Sequence, residues 1–456
     1  MSIAIPTPSN SFTRLADFAL RSGPEDIPAS TMERAALLLL DTLGICAASA
    51  PMEAGGIARD TALALYGTAD PAMSAPMLFD GRPASLAGAA FAAATQTDNL
   101  DGHDGYNPTK GHIGVAVAPA LSVLAQHLPG LTGREALAAL VVGYEVAGRA
   151  GTALHATVSD YHTSGAWNAL GVVALAARLR GLTDGQLRHA LGIAEYHGPR
   201  SQMMREIANP TMLHDGSGMG ALVGLSSVIM AEKGFTGAPA ITLEAPEVES
   251  HWADLCKVWQ TELQYVKPYP ICRWAHAPID GAKLLRARHG IDHEKIARIT
   301  IRSFAESIAL YPGTPDHSAR AQYALAFPVA WMLVNGHIGL AQISGEGLAD
   351  PRVARLVALT EGVVDARHQA RFPAQGRWAD IEIEMQDGSV YESGDLNASG
   401  GPDAPFDAAT ICGKYMSFAA PVLGEARAGA LRDAVLALPR TDALFSDVNT
   451  LITPAP

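Results

Sequence analysis

The 456-residue chain has few charged residues, few cysteines and no long uninterrupted apolar run. Charged residues make up 17% and hydrophobic residues 48% of the chain, so a large core can be buried. The four cysteines, Cys46, Cys256, Cys272 and Cys412, lie far apart and form no CxxC pair. This spacing argues against a disulfide framework and against a cysteine-ligated zinc or iron–sulfur site. We therefore expect a reduced, cytoplasmic setting.

Positive charge is also scarce, since the formal net charge is -13. Binding to nucleic acid or to a membrane surface needs clustered Lys and Arg, so we expect neither partner. No apolar stretch reaches the length of a membrane span without a polar break, which predicts no transmembrane helix. The N-terminal "MSIAIPTPSNSF" has no basic region and no long apolar core, unlike a secretory signal.

Capping patterns predict a series of helices in the first half of the chain. Three segments carry Ser or Thr followed three residues later by Glu or Gln, which is typical of a helix start. The pairs are Ser30 and Glu33, Thr132 and Glu135, and Thr183 and Gln186. Alanine is frequent in these segments, so we expect tightly packed helices. The segment "SGMGALVGLSSVIMAEKGFTG" predicts a further helix that ends near Gly234.

The pattern changes after about residue 265. "KIARITIRS" alternates apolar and polar positions, as does "ADIEIEMQDGSVYESG" around Asp387-Gly388, which predicts strands and a hairpin turn. Helical segments lie between them, and the tail from about residue 405 is helical again. These patterns predict an all-helical domain of residues 1–265 and 405–456 and an α+β domain of residues 266–404.

One polar segment, "TDNLDGHDGYNPTKGHIG", falls between the apolar runs "SLAGAAFAAAT" and "VAVAPALSVLA". Three interpretations remain open from the residues alone: a metal site, an acid–base site with tuned histidines, and a solvated loop. The ionisable residues are Asp98, Asp101, His103, Asp104, Lys110 and His112. The helix expected after His112 offers an N-terminus that favours an anion.

Three further segments combine ionisable groups with loops or helix starts: "SDYHTSGAWNALG", "REIANPTMLHDGSGMGA" and "VKPYPICRWAHAPIDGAKLL". Each also has a plain interpretation as a capping loop, as glycine-mediated helix packing or as an interdomain linker. The second is not a phosphate-binding loop, because the GxxxxGK[ST] pattern is absent. The residues of interest are His162, Arg205, Asn209, His214, Asp215, Lys267, Arg273 and His276. Together they suit an anionic substrate and proton transfer.

The segments "DTLGICAAS", "DNLDG…GHIG", "GYEVAGR", "HTSGAWNALGVVALAARLRGLTDGQLRHALGIA", "AEKGFTGAPAITLE" and "KPYPICRWAHAPID" resemble, in order, the signatures of the MmgE/PrpD family. That family includes 2-methylcitrate dehydratase, cis-aconitate decarboxylase and iminodisuccinate epimerase. The resemblance implies a mostly α fold, with a large all-helical domain, a smaller α+β lid domain and a homodimer. It also implies an active site in the cleft, with no metal or cofactor, for proton removal next to a carboxylate of a small polycarboxylic acid.

The resemblance also assigns site residues. It implies His112 and His162 as general base and acid, or as bases on opposite faces of the substrate. It implies that Lys267 binds a carboxylate or protonates a leaving group and that Asp98 orients an imidazole. Further catalytic candidates are His103 and Tyr144, and the expected substrate-binding residues are Asp101, Lys110, His214, Arg273 and His276.

Two positions depart from the family pattern. Thr211 stands where many members have a lysine, and Phe327 stands where dehydratases and decarboxylases have a tyrosine. We predict a cofactor-independent acid–base lyase of the dehydratase type acting on a small polycarboxylate. Because of these departures, an epimerase of an amino-polycarboxylate is the alternative. A non-catalytic polycarboxylate binder and a metalloenzyme using Asp98, Asp101, His103 and His112 are further alternatives.

Overall fold

The computed structural model describes residues 7–440 and 442–453. The first part of the chain forms helices joined by short loops. They are α1 (Asn10–Arg21), α2 (Ala29–Ser49), α3 (Glu53–Leu65), α4 (Leu86–Asp98), α5 (Gly114–Leu124), α6 (Gly133–Thr157), α7 (Gly165–Arg180), α8 (Asp184–His197), α9 (Met204–Ala208), α10 (Ser217–Glu232) and α11 (Ile241–Glu244). Two short antiparallel pairs accompany them, β1 (Ser74–Pro76) with β2 (Pro83–Ser85), and β3 (Gly105–Tyr106) with β4 (Gln264–Tyr265).

Small residues set the packing of these helices, as predicted. A Cβ atom on Gly171 of α7 would lie 2.5 Å from the carbonyl oxygen of Gly143 on α6, so the two backbones approach closely. The capping boxes at Thr132 and Thr183 are confirmed. The capping box at Ser30 is wrong: α2 begins at Ala29, and the Ser30 hydroxyl instead donates a 3.0 Å hydrogen bond to Glu262.

Among the described residues, α6 is long and apolar enough to cross a membrane, and the bent pair of α2 and α3 passes the same test together. In α6, 94% of the apolar window is buried inside the fold. The helix also carries a buried ion pair, with Arg149 Nη1 2.6 Å from Glu145 Oε2. These features are those of a core helix.

The second region is α+β, as the alternation predicted. Its helices are α12 (His276–His289), α13 (Ala305–Ile308), α14 (Ser318–Gln322), α15 (Ala326–Asn335), α16 (Pro351–Ala358) and α17 (Ala366–Arg371). Its strands are β5 (Ile296–Ser303), β6 (Thr360–Val364), β7 (Trp378–Met385), β8 (Val390–Glu392) and β9 (Leu396–Asn397). The sheet order is β6-β5-β7-β8, with β9 also on β7; β5 and β6 are parallel and the other pairs antiparallel. The hairpin at Asp387-Gly388 is confirmed between β7 and β8.

The chain then returns to the helical domain through α18 (Ala408–Leu423), α19 (Glu425–Ala437) and α20 (Phe445–Ile452). Helices α18 and α19 pack against α2, as expected for the tail. The Lys414 ammonium on α18 lies 2.6 Å from Asp41 of α2 and donates a 2.6 Å hydrogen bond to the Gly102 carbonyl. The fold is thus mostly α, with a large helical domain and a smaller α+β domain. The polar segment after α4 lies where the two meet.

Candidate active site

The polar segment between α4 and α5 is buried, which is incompatible with a solvated loop. Asp98, Asp101, His103, Asp104 and His112 are each no more than 6% exposed. Apolar helices enclose the segment on both sides, and Leu100 within it shares a core with the lid. Burying this many ionisable groups is unfavourable unless they pair with one another or bind something.

His112 has a fixed ring orientation. Its Nδ1 lies 2.7 Å from the Asp104 carbonyl oxygen, which can only accept, so Nδ1 carries the proton and Nε2 is free in the neutral ring. The backbone N–H of His112 donates a 2.9 Å hydrogen bond to Ser164 Oγ at the start of α7. Burial lowers the pKa of His112 well below its ordinary value. The neutral imidazole therefore presents a basic nitrogen to its surroundings.

Two carboxylates flank that nitrogen. Nε2 of His112 lies 3.8 Å from Asp101 Oδ1 and 3.7 Å from Asp215 Oδ2. The other oxygen of Asp215 accepts a hydrogen bond from the Ser164 hydroxyl. Burial raises the pKa of Asp215 to about 6. Groups this close share protons, so they titrate as one set.

Lys267 and His103 complete this half of the site. The Lys267 ammonium contacts the Asp101 carboxylate and donates a 3.1 Å hydrogen bond to the Asp101 carbonyl. The His103 ring stands nearly perpendicular to the His112 ring, 4.5 Å away, with its Nε2 3.6 Å from Asp98. Burial lowers the pKa of His103 and raises that of Asp98.

Three cationic side chains form a cationic wall of the same cavity. They are Lys110, Arg273 and Arg377, and no carboxylate of the described residues lies within 4 Å of any of the three. Burial lowers the pKa of Arg273 to about 10. The remaining lining residues include Tyr161, Tyr265, Cys272, Trp274 and Tyr323. An anion is the natural complement of this wall.

The cavity is small, with a volume of about 20 Å³. A polycarboxylate needs more room than this, so its binding requires the lid and the helical domain to move apart here. Arg377 of the lid donates a 3.1 Å hydrogen bond to the Asn107 carbonyl across that boundary. Opening would break this contact.

Seven residues predicted for the site do not line the cavity. Asp98, His103 and Lys267 stand behind the lining and contact it as described above, whereas the other four lie elsewhere. His162 is half-buried beside His155, whose Nε2 accepts a 3.1 Å hydrogen bond from the His162 backbone. Tyr144 of α6 lies behind α5, against the Asp104 carboxyl and Gly114. His276 contacts the Ile271 carbonyl at 2.8 Å. His214 is buried with its ring 5.3 Å from that of Tyr323.

The assignment of site residues missed nine lining residues, among them Asp215, Tyr323 and Arg377. Asp215 stood in a quoted segment, but nothing in "LHDG" showed that its side chain reaches His112. Tyr323 lines the cavity, whereas Phe327 is fully buried in α15 and does not. A tyrosine hydroxyl is thus present although Phe327 has none. In the sequence, Arg377 is only a single charged residue before a predicted strand, and no pattern around it indicates a site.

Thr211 points away from the site. Its side chain is exposed, and its hydroxyl donates a 2.8 Å hydrogen bond to Glu206. The cations that line the cavity come from other positions: Arg273 and Arg377 of the lid, and Lys110 of the polar segment.

Two groups of residues have metal-like spacing. Ligand atoms of Asp101, His103 and His112 lie within 4.8 Å of one another, as do those of His368, Asp380 and Asp395. In the first, the Lys267 ammonium already occupies Asp101. In the second, guanidinium groups contact both carboxylates. A further cation would be repelled at either place, so these residues do not fit a metal ion.

Comparison with known proteins agrees with this architecture. Residues 13–248 match the MmgE/PrpD N-terminal domain and residues 269–440 match the MmgE/PrpD C-terminal domain. The chain therefore belongs to the MmgE/PrpD family, which confirms the resemblance.

Several curated proteins are similar over much of their length. The cis-aconitate decarboxylase-like protein oryM of Aspergillus oryzae is 25% identical, with 99% of each chain covered. A cis-aconitate decarboxylase of Aspergillus terreus is 24% identical, covering 96% of this chain and 94% of its own. A cis-aconitate decarboxylase of Mus musculus is 24% identical, covering 66% and 65%.

Proposed function

We propose that this protein is a cofactor-independent lyase acting on a small polycarboxylic acid through proton transfer at a carbon next to a carboxylate. One observation carries the proposal: the free Nε2 of His112 lies 3.8 Å and 3.7 Å from two buried carboxylates, in a cavity that three cationic side chains also line. The decarboxylase names of the relatives support a lyase over other classes.

The site has the groups that such a reaction needs. In a dehydration, His112 Nε2 takes the proton and the C–H electron pair moves toward the adjacent carboxylate. The β-hydroxyl then leaves as water with a proton from an acid. In a decarboxylation, the C–C bond breaks, carbon dioxide leaves, and the electron pair stays on the carbon as a carbanion, which then takes a proton from protonated Asp215. In both, Lys110, Arg273 and Arg377 stabilise the added negative charge.

Asp215 is the acid we propose for the second proton transfer. It lines the cavity, and burial raises its pKa to about 6, so an appreciable fraction is protonated near neutral pH. Tyr323 is a neutral donor on the same cavity. Asp101, held by Lys267, lies 3.8 Å from Nε2 and stabilises the positive charge that His112 gains when it takes a proton. His162 stands farther out and is proposed to act at the cavity mouth.

An epimerase remains the second candidate, and the position of Thr211 favours it. With this side chain turned to Glu206, the site has no lysine at the place where many family members carry one. Two proton carriers, His112 and Asp215, would suffice to remove a proton from one face and return it to the other.

Proton NMR in D2O distinguishes these functions. Purified protein is incubated with methylcitrate, citrate, cis-aconitate and iminodisuccinate, with His112→Gln as the inactive control. We expect new vinyl signals or loss of a carboxylate-bearing carbon, either of which identifies a lyase. Deuterium entering at a carbon–hydrogen position with no new alkene would identify an epimerase. Saturable binding with none of these changes would identify a non-catalytic binder and overturn the proposal.

The homodimer and the cytoplasmic setting remain predictions that rest on the resemblance and on the composition. Light scattering after size-exclusion chromatography tests the dimer directly, with a mass near twice 47.7 kDa expected.

A further inference from the structure

We infer that Arg377 and Arg273 form a subsite of the lid for a second substrate carboxylate, away from the carbon that exchanges its proton. The inference rests on the proposed function and deepens it. It requires a substrate with at least two carboxylates, one near His112 and one on the lid.

Arg377 is a buried cation with no carboxylate of the described residues within 4 Å. It is 2% exposed, and its guanidinium donates to the carbonyls of Pro373 at 2.9 Å and Asn107 at 3.1 Å. Its Nε has no hydrogen-bond partner among the described residues. An arginine keeps its charge at any physiological pH, so burial without a carboxylate is unfavourable unless an anion binds.

Arg273 repeats this arrangement on the same cavity. It is 5% exposed and donates to the carbonyls of Ser399 at 2.5 Å and Ala398 at 2.8 Å, and its Nε is also unpartnered. Its guanidinium lies 4.5 Å over the Tyr265 ring, which limits its motion. Backbone carbonyls thus hold both guanidinium groups in place and leave the Nε–H and at least one Nη–H of each free. Planar donors of this kind suit a carboxylate.

The two halves of the cavity come from different domains. His112 and Asp215 belong to the helical domain, whereas Arg273 and Arg377 belong to the lid region. A ligand with carboxylates at both ends would contact both domains at once. A monocarboxylate can fill only one half.

Calorimetric titration of tricarballylate and succinate, each paired with its analogue in which one carboxylate is an amide, tests the subsite. The proteins are the wild type, Arg377→Gln, Arg377→Lys and the control Arg371→Gln. Arg371 lies on the same lid segment but pairs with Asp395 outside the cavity. We expect wild type and control to bind each acid at least about tenfold more tightly than its amide. In Arg377→Gln this ratio should approach one, with Arg377→Lys between.

The ratio is measured within one protein, so partial misfolding lowers both affinities and leaves the ratio unchanged. An unchanged ratio in Arg377→Gln would overturn the subsite and leave the proposed function standing. Failure of the wild type to bind any acid would overturn both. Binding that depends on Arg377, in a protein with no turnover in the NMR assay, would support the subsite and overturn only the proposed chemistry.

Discussion

Lys267 and His112 share one oxygen of Asp101. The Lys267 ammonium contacts Oδ1, and His112 Nε2 lies 3.8 Å from the same atom. The lysine is fully buried and the aspartate 3% exposed. Lys267 thus holds the carboxylate that faces the proposed base, and its role differs from that of a free cation in the cavity.

Removing this lysine should destabilise the protein strongly. Lys267→Met leaves the Asp101 carboxylate buried and unpaired, which typically costs about 3–5 kcal/mol. In the double variant Lys267→Met/Asp101→Asn both charges are gone, so most of that loss should be recovered. Thermal and urea denaturation of the three proteins measure the difference, with the exposed Lys283→Met as control. Equal destabilisation in the single and double variants would show that the pair is not the cause.

His112 and His162 should differ sharply in activity. His112→Gln removes the only imidazole among the described residues that lines the cavity, so turnover should fall about 10²–10⁴-fold, as for a lost general base. His162→Gln should lose less than about tenfold, because its ring lies beside His155 and outside the lining. Steady-state rates with the substrate found by NMR measure both.

The opposite order of effects would mean that His162 moves into the cavity when the ligand binds. Circular dichroism and melting temperatures show whether either loss reflects misfolding. Thr163 and Ser164 follow His162 directly, so His162→Gln also tests whether the start of α7 tolerates the change.

The polar segment could be predicted from the sequence, whereas Arg377 and Asp215 of the cavity lining could not, for a physical reason. Asp98 to His112 are close in sequence, and their density between apolar helices is visible without any structure. Arg377 meets Asn107 across 270 positions, a distance that only the packing of lid on helical domain closes. Packing within the helical domain brings Asp215 to His112, across about a hundred positions of the sequence.

Local patterns failed where tertiary contacts competed with them. Ser30 matches a capping box, yet its hydroxyl bonds to Glu262, more than two hundred residues away. Tyr323 and Phe327 show the opposite case. Phe327 stands where the family pattern has a tyrosine and therefore lacks the hydroxyl, but Tyr323, four residues earlier, lines the cavity.

Asp215 should set the alkaline limb of the pH–rate profile, because a proton donor must be protonated to act. Burial raises its pKa to about 6, so turnover should fall as the pH rises through about 6 and the set of Asp101, Asp215 and His112 loses one proton. Asp215→Asn removes one titrating carboxyl from this set, so the fall in rate should move to another pH or disappear. Turnover rates measured between pH 4.5 and 8 test this.

Ser164→Ala gives the matched comparison. The Ser164 hydroxyl donates to Asp215 and lowers the pKa of that carboxyl, so its loss should move the limb to higher pH. Identical profiles in wild type and both variants would show that Asp215 does not titrate in the reaction.

His214 should make the protein sensitive to acid. It is 1% exposed, and burial lowers its pKa from 6.5 to about 3, so the folded protein keeps it neutral while the unfolded chain protonates it below about pH 6.5. Stability is therefore lost as the pH falls from about 6.5 toward about 3, on the order of 1 kcal/mol per pH unit from this group.

Asn is the replacement of choice, because residue 214 has φ 46° and Asn tolerates that conformation. Between pH 7 and 5, His214→Asn should lose less melting temperature than the wild type, whereas the exposed His337→Asn should follow the wild type. Parallel losses in all three proteins would mean that the folded protein protonates His214 as readily as the unfolded chain does.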